Sequence, residues 1–300
     1  MFDFIAIGNV SIDLYFQGKS FTHDKDRYHL AIGGKYFADK FYEDIGGGGC
    51  NVAAGMAVFG YQVGLLCKIG NNPFKDLILK KLRSKKISTE LCQFQNDYYK
   101  ISAIFLTEKG ERTIINYETP TTLWQAFKLS SEVKKAKNVY LAALPHLKLA
   151  DKVKIIEFFK GPQVLTIVNL AVTDCRRPIN ELIPLFDGLD ILILNSHEFS
   201  DLIKKPYSEI NFEKIKIDIP ILKNRILVVT DGEKGSYAYA NNQVFSQPAI
   251  KPKKIIDTTG CGDGYTAGFI AEFLKTQDIK KSMMTGSQYA AKIIEKIGAN

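Results

Sequence analysis

An aspartate placed just behind a glycine turn, at the start of an apolar-striped segment, can do chemistry that an aspartate in a loop cannot. Asp263 follows Gly260-Cys261-Gly262, and these four residues join the run Ile255-Ile256-Asp257-Thr258-Thr259 to the segment Gly264–Leu274. Tyr265, Phe269 and Phe273 recur every four residues, and Ala267, Ile270, Ala271 and Leu274 widen the same stripe, so the spacing predicts an amphipathic helix docked on a core. Its N-terminus is then the glycine turn. Free N–H groups and the positive end of the helix dipole make an anion site there, and glycines let backbone approach a phosphate closely. Asp263 has two readings. It is an acidic residue stabilising the first helical turn, or it is a base beside a phosphate site, taking a proton from a hydroxyl that attacks there.

Other stretches carry candidate chemistry. Phe4-Ile5-Ala6-Ile7 reads as a buried strand, and Gly8-Asn9-Val10-Ser11-Ile12-Asp13 follows at its carboxyl end, where α/β sheets bind ligands. Asp13 is a turn or cap residue on one reading. On the other it is a carboxylate able to accept from two neighbouring hydroxyls. Gly46-Gly47-Gly48-Gly49-Cys50-Asn51 opens a helix that carries Val52, Met56 and Phe59 on one face and ends at Gly60. The strand Asp190–Leu194 runs into Asn195-Ser196-His197-Glu198, the pattern of a capped helix start. Thr230-Asp231-Gly232-Glu233-Lys234-Gly235 links a buried strand to a hairpin. Three alternatives fail on spacing: no Gly-x-x-x-x-Gly-Lys surrounds Gly18-Lys19-Ser20, no His lies four beyond His197, and the glycine run holds no Gly-x-Gly-x-x-Gly.

The elements that must hold these residues alternate strand and helix from Val139 onward, through Val139–Leu144, Ala150–Phe159, Val164–Val168, Pro178–Phe186, Ile191–Leu194 and Glu198–Lys204. That alternation implies a mostly parallel sheet with helices on both faces. Val63–Ile69 is expected as one strand, Phe74–Ser84 as a helix, and a last helix around Ser282–Lys296. Ile101–Thr107 and Glu111–Glu118 flank Glu108-Lys109-Gly110 and read as a hairpin. Both its faces are partly apolar, so each must be covered. With residues 14–44 it is expected to form a small sheet that covers a substrate on one side and a partner subunit on the other; the alternative is an edge of the main sheet.

A chain of 300 residues with 46% apolar and 24% charged residues suits one α/β unit, taken as 1–300 with the small sheet formed by about 14–44 and 98–119 inserted in it. Apolar runs are too short to span a membrane and nothing at Met1–Gly8 resembles a signal peptide. Five scattered cysteines without a Cys-x-x-Cys spacing argue for reduced thiols in a cytoplasmic protein. The net charge of +8 comes from lysines spread along the chain, which gives no focused nucleic-acid surface.

Asp257-Thr258-Thr259-Gly260-Cys261-Gly262-Asp263 resembles the C-terminal signature of the ribokinase-like (PfkB) family of sugar and nucleoside kinases, with Cys261 for the usual alanine. The glycine run resembles the N-terminal signature of that family, and Asn195-x-x-Glu198 its Asn-x-x-Glu motif. The resemblance spans essentially the whole chain. It implies a ribokinase-like α/β fold with a β-lid and transfer of the ATP γ-phosphoryl group to a hydroxyl of a small sugar, or of a nucleoside in the alternative; a non-catalytic sensor is a third class. It further implies Asp263 as base, with Gly260, Cys261 and Gly262 as anion hole. Asp13, Gly47, Gly48 and Asn51 would contact substrate, and Asn195, Thr230, Gly232, Gly235 and Ser287 the nucleotide. Glu198 would act on Mg²⁺ through water. Relatives activated by K⁺ use the loop Asp257–Thr259 and backbone beyond the Gly-Ala that is here Gly298-Ala299; only Asn300 follows, so K⁺ activation is not expected. Relatives show Gly-Asp-Asp where this chain has Gly70-Asn71-Asn72.

Overall fold

Short runs of aliphatic residues with no polar alternation must be covered on both faces, and the strands built from them occupy the centre of the molecule. The structure is a computed structural model that describes residues 2–24, 27–108, 111–119, 136–215 and 225–299. Its main sheet runs, edge to edge, Gln243–Gln247, Ser236–Ala240, Ile226–Thr230, Ile191–Asn195, Leu165–Asn169, Asn138–Leu141, Phe4–Ile7, Val63–Leu66 and Ile87–Ser88. From Ile226–Thr230 to Ile87–Ser88 all neighbours are parallel, and the two remaining strands form an antiparallel extension. Successive residues serve opposite faces: Phe4 and Ala6 join one core cluster, Ile5 and Ile7 the other. The helices Gly48–Val58, Lys75–Ser84, Cys261–Thr276 and Ile279–Ile294 cover the first face, and Leu149–Phe159, Ile179–Gly188 and Ser196–Ile203 the second.

A second, separate sheet has the order Arg112–Glu118, Lys100–Leu106, Ser11–Gln17, Lys40–Gly46. The hairpin is therefore not an edge of the main sheet. Its turn residues Lys109 and Gly110 lie outside the described residues. Asp13 differs from its expected setting: it is the third residue of Ser11–Gln17 in the second sheet, across from Asp44 and Ser102. Three residues, Gly8 to Val10, carry the chain from the main sheet at Ile7 to the second sheet at Ser11, and Asp13 lies inside the strand that follows and caps no turn.

The expected strand Val63–Ile69 is two strands. Ile7 pairs with Leu66, and Gly8 then donates to the Leu66 carbonyl at 3.1 Å, where the neighbouring strand ends. Beyond that point the backbone has lost its partner, and Lys68–Asn71 pairs in parallel with Gln93–Asn96 instead. Among the described residues no helix is long and apolar enough to cross a membrane.

The glycine-run helix is seated by backbone contact. A Cβ on Gly8 would lie 2.7 Å from the Gly49 Cα and 2.8 Å from the Ala142 Cβ, so the helix start touches the sheet edge with no side chain between. Gly8→Ala must push the helix away, and overpacking of this kind costs about 1–3 kcal/mol. Urea unfolding of this variant is expected to show that loss; an unchanged midpoint would mean that the contact is not tight.

Candidate active site

Two helices begin at the same place. Gly48–Val58 starts behind Gly47 and Cys261–Thr276 behind Gly260, and neither start has a side-chain cap. Gly47 has φ +96° and Gly260 φ +72°, both in the left-handed region, and both are also crowded. A Cβ on Gly47 would lie 2.5 Å from the Asn9 carbonyl, and one on Gly260 would strike Ala299. Gly262 faces open space.

The Asp263 carboxylate lies between the two starts. Asn51 Nδ2 donates to its Oδ2 at 2.7 Å, and a Cβ on Gly48 would come within 3.6 Å of its Oδ1. Part of the side chain meets solvent, but the surrounding protein mass strips most of its hydration. Burial pushes its carboxyl up to about 6, against the pull of the Asn51 hydrogen bond. The group therefore sits where it can exchange a proton near neutral pH. Burial raises the Cys261 thiol, with the Asp263 charge adding to the effect, so Cys261 stays a neutral thiol.

Asp13 is almost fully enclosed, at 5% exposure. Ser11 Oγ donates to its Oδ1 at 2.8 Å. Burial raises its carboxyl, while hydrogen bonds from Ser102 and Ser11 lower it, Asp44 raises it and Lys100 lowers it. A side chain at Gly46 would collide with the same carboxylate, which accounts for the first glycine of the run. Register puts Ser11, Asp13, Asp44, Ser102, Asn116 and Arg112 on one face of the second sheet, with the buried Tyr15 among them.

On the far side, Asn195 and Thr230 stand in register at the carboxyl ends of adjacent strands. Asn195 Oδ1 accepts from His197 N at 3.0 Å and Glu198 N at 2.8 Å, and Glu198 Oε2 accepts from Asn195 N at 2.9 Å, a complete capping box. Burial raises the Glu198 carboxyl, hydrogen bonds from Asn195 and Asn169 lower it, and the Asp263 charge raises it. The two carboxylates thus share one electrostatic environment. Gly232 (φ +53°) and Gly235 (φ +106°) bound a short 3₁₀ turn after Thr230. Ser287 is buried at 6% exposure in Ile279–Ile294. Asn300 lies outside the described residues.

Sequence reasoning did not single out Ser102, Asn116 or Arg112. The signal was present as alternation: Lys100, Ser102, Arg112 and Asn116 share one side of strands whose other side holds Ile101, Ala103, Phe105 and Ile115.

A mostly parallel sheet whose ligand edge gathers a desolvated carboxylate, two uncapped helix starts and a second small sheet defines the ribokinase-like fold class. The sequence profile of the pfkB family carbohydrate kinases matches residues 3–300. The nucleoside kinase of Methanocaldococcus jannaschii is 24% identical over 295 residues, covering 98% of this chain and 90% of that protein. A putative 1-phosphofructokinase of Mycoplasma pneumoniae is 26% identical over 278 residues, covering 87% and 88%. The structure of Arabidopsis thaliana ribokinase, complexed with ribose and ATP, superposes with a TM-score of 0.81 at 22% identity, covering 99% of this chain and 94% of that one. The chain belongs to the pfkB family of carbohydrate kinases, ATP-dependent phosphotransferases acting on sugars or nucleosides.

The Asn51 contact gives a test of the site's electrostatics. Carbon-13 carboxyl NMR is expected to show Asp263 titrating near 6, and Asn51→Ala, which removes the donor that favours the charged form, is expected to move that midpoint upward. A midpoint that stays put would sever the Asn51–Asp263 link.

Proposed function

We propose that this protein transfers the ATP γ-phosphoryl group to a hydroxyl of a small sugar, with Asp263 as the base. The observation that carries the proposal is the Asp263 carboxylate, held by Asn51 at the junction of two helix N-termini. The acceptor hydroxyl gives its proton to Asp263 as its oxygen bonds to phosphorus, and ADP leaves on the opposite side. The anion hole is assigned to Gly260, Cys261 and Gly262 at the start of the helix Cys261–Thr276, whose dipole favours the charge of the transferring group. Catalysis of this kind is positioning and electrostatics.

Asn195 and Thr230, in register at the carboxyl ends of adjacent strands, and Gly232 and Gly235 in the turn that follows are assigned to the nucleotide. Ser287, being buried, would act there only through its neighbours. Among the described residues no group of three or more His, Cys, Asp or Glu side chains could hold a metal. The chain offers Glu198, whose carboxyl is raised partly by Asp263, and a cation there relieves that repulsion. Mg²⁺ arriving with ATP would be held by Glu198 through water and would spread the phosphate charge. K⁺ has no part in this reading, because Asp257 already faces the Arg112 guanidinium at 3.7 Å.

The sugar assignment is supported by the second sheet, taken here as a lid over the acceptor. Its inner face offers Asp13, Ser102 and Asn116, and Asn51 and the bare backbone of Gly47 and Gly48 lie beside it. Of the aromatic residues able to stack on a base, Phe16 and Phe105 stack on each other at 5.8 Å and share the face opposite Asp13. Phe37 is exposed, and Tyr36 OH accepts from Ala31 N within its own loop. Tyr15 shares Asp13's face but is buried. The likeness to the M. jannaschii nucleoside kinase favours the second reading, a nucleoside acceptor. The lid's outer face exposes Phe41, Ile115 and Tyr117 at 55%, 57% and 55%, an apolar surface suited to a second copy of the chain.

A coupled ADP-release assay with a panel of pentoses, hexoses and nucleosides decides the acceptor. ADP with sugars and none with adenosine, inosine or cytidine is expected; saturation by a nucleoside at micromolar concentration would install the second reading. Asp263→Asn is expected to lower turnover by about 10²–10⁴ with ATP binding kept, and near wild-type turnover would remove Asp263 from the reaction. Glu198→Gln is expected to raise the Mg²⁺ concentration needed for half-maximal rate, and an unchanged Mg²⁺ dependence would confine Glu198 to helix capping.

A further inference from the structure

Asp257 has 0% exposure and lies six residues before Asp263, at the entry of the loop that leads into the helix. Its oxygens accept from neutral donors: Thr259 N at 2.9 Å and Thr259 Oγ1 at 2.6 Å on Oδ1, and Gly298 N at 3.1 Å on Oδ2. Hydrogen bonds of this kind satisfy lone pairs and leave the charge unbalanced. A buried carboxylate needs a counter-charge.

That charge comes from a different part of the molecule. Arg112 opens the strand Arg112–Glu118 of the second sheet, and its Nε lies 3.7 Å from Asp257 Oδ1 while its Nη1 donates to Thr258 Oγ1. One planar guanidinium thus holds two consecutive loop residues, which a point charge on a flexible stem does less well. The next links are backbone. Cys261 N donates to the Thr258 carbonyl at 3.4 Å and Gly264 N to the Gly260 carbonyl at 2.8 Å, so a shift at Thr258 is passed to the amides of the helix start. Asp257 also ties down Gly298, whose neighbour Ala299 packs on Gly260.

We propose that Arg112 is a positioning residue for phosphoryl transfer, acting as a tethered cation. It balances the buried Asp257 and pins the loop Asp257–Gly260 to the second sheet, so that the helix start bearing Asp263 is set while that sheet lies over it. The proposal rests on the kinase reading for its catalytic consequence and on geometry alone for the tether. Removing the charge leaves Asp257 buried and unpaired; the loop then loosens, and misplacement of catalytic groups by about 1 Å lowers turnover by about 10²-fold. The vacated position suits a free cation.

The test compares wild type with Arg112→Ala and Arg112→Lys, and with Arg112→Gln should the alanine variant not fold. Hydrogen–deuterium exchange of peptides covering 257–264 is expected to rise in Arg112→Ala and to return toward wild type in Arg112→Lys. Tm is expected to fall by roughly 5–10 °C on loss of the pair. Replacing Na⁺ by K⁺, or adding millimolar guanidinium, is expected to recover part of Tm and exchange protection in Arg112→Ala and to leave wild type unmoved, because a ligand that binds only the folded state stabilises it. In kinetics kcat drops while the acceptor KM moves little, and the same cations restore part of kcat. Unchanged exchange at 257–264 in Arg112→Ala would overturn the tether. A raised KM for ATP with exchange unchanged would overturn it too, making Arg112 a phosphate contact. If wild type shows no kinase activity, the function reading fails, while exchange and the cation dependence of Tm still decide the tether.

Discussion

The site depends on the Asp263 carboxylate being held where two helices begin. Both helix starts want negative charge, and a desolvated carboxylate wants positive charge, so the contact among Asp263, Asn51 and Gly48 satisfies both. The same arrangement is poised rather than relaxed. Burial lifts the Asp263 carboxyl to about 6 even against the Asn51 hydrogen bond, so the protonated and charged forms lie close in energy near neutral pH. The constraint propagates into the sequence as glycine. Gly8, Gly47 and Gly49 let Gly48–Val58 come down onto the sheet edge, and Gly260 lets Cys261–Thr276 start beside Ala299. Side chains at these positions would hold the two starts apart.

The second sheet solves a different problem. A strand with residues alternating between two environments must present two surfaces, and this sheet presents a polar one bearing Asp13, Ser102 and Asn116 and an apolar one bearing Phe16, Phe41 and Phe105. The strand Ser11–Gln17 continues from the main-sheet strand Phe4–Ile7 after three residues. Asp13 is therefore tied to the main sheet through a link of three residues, and the strand Lys100–Leu106 pairs with its strand in parallel.

Much of this was legible in the sequence, and where it was not the cause is physical. Helices with a clear apolar stripe and a glycine start, such as Cys261–Thr276, were found because their signal is local. The strand Val63–Ile69 was misjudged because its apolar run continues past the point where its neighbour ends at Gly8; pairing with Gln93–Asn96 is decided by tertiary geometry, which periodicity does not carry. The turn-or-cap reading of Asp13 did not hold because the chain crosses after Ile7 from one sheet to another and Asp13 lies inside the strand Ser11–Gln17, and such a crossing leaves no periodic signal in the sequence. Arg112 was missed for a related reason. Its partner Asp257 is 145 residues away in sequence, and a single arginine opening a strand resembles any solvated one.

Asn195-x-x-Glu198 shows why motif reasoning left two readings standing. The capping box is present and complete, so the structural explanation holds in full. It does not exhaust the side chain. Glu198 Oε2 serves the Asn195 amide, while Asn169 also bonds the carboxylate and the Asp263 charge acts on it across the cleft. A capping glutamate on an open surface needs no burial and feels no second acid. Here the cap fixes the carboxylate's position at the end of Ile191–Asn195, beside Thr230, while burial raises its carboxyl and the hydrogen bonds from Asn195 and Asn169 oppose that rise. Capping thus sets the place of a carboxylate that also feels the Asp263 charge, which a cap alone does not require.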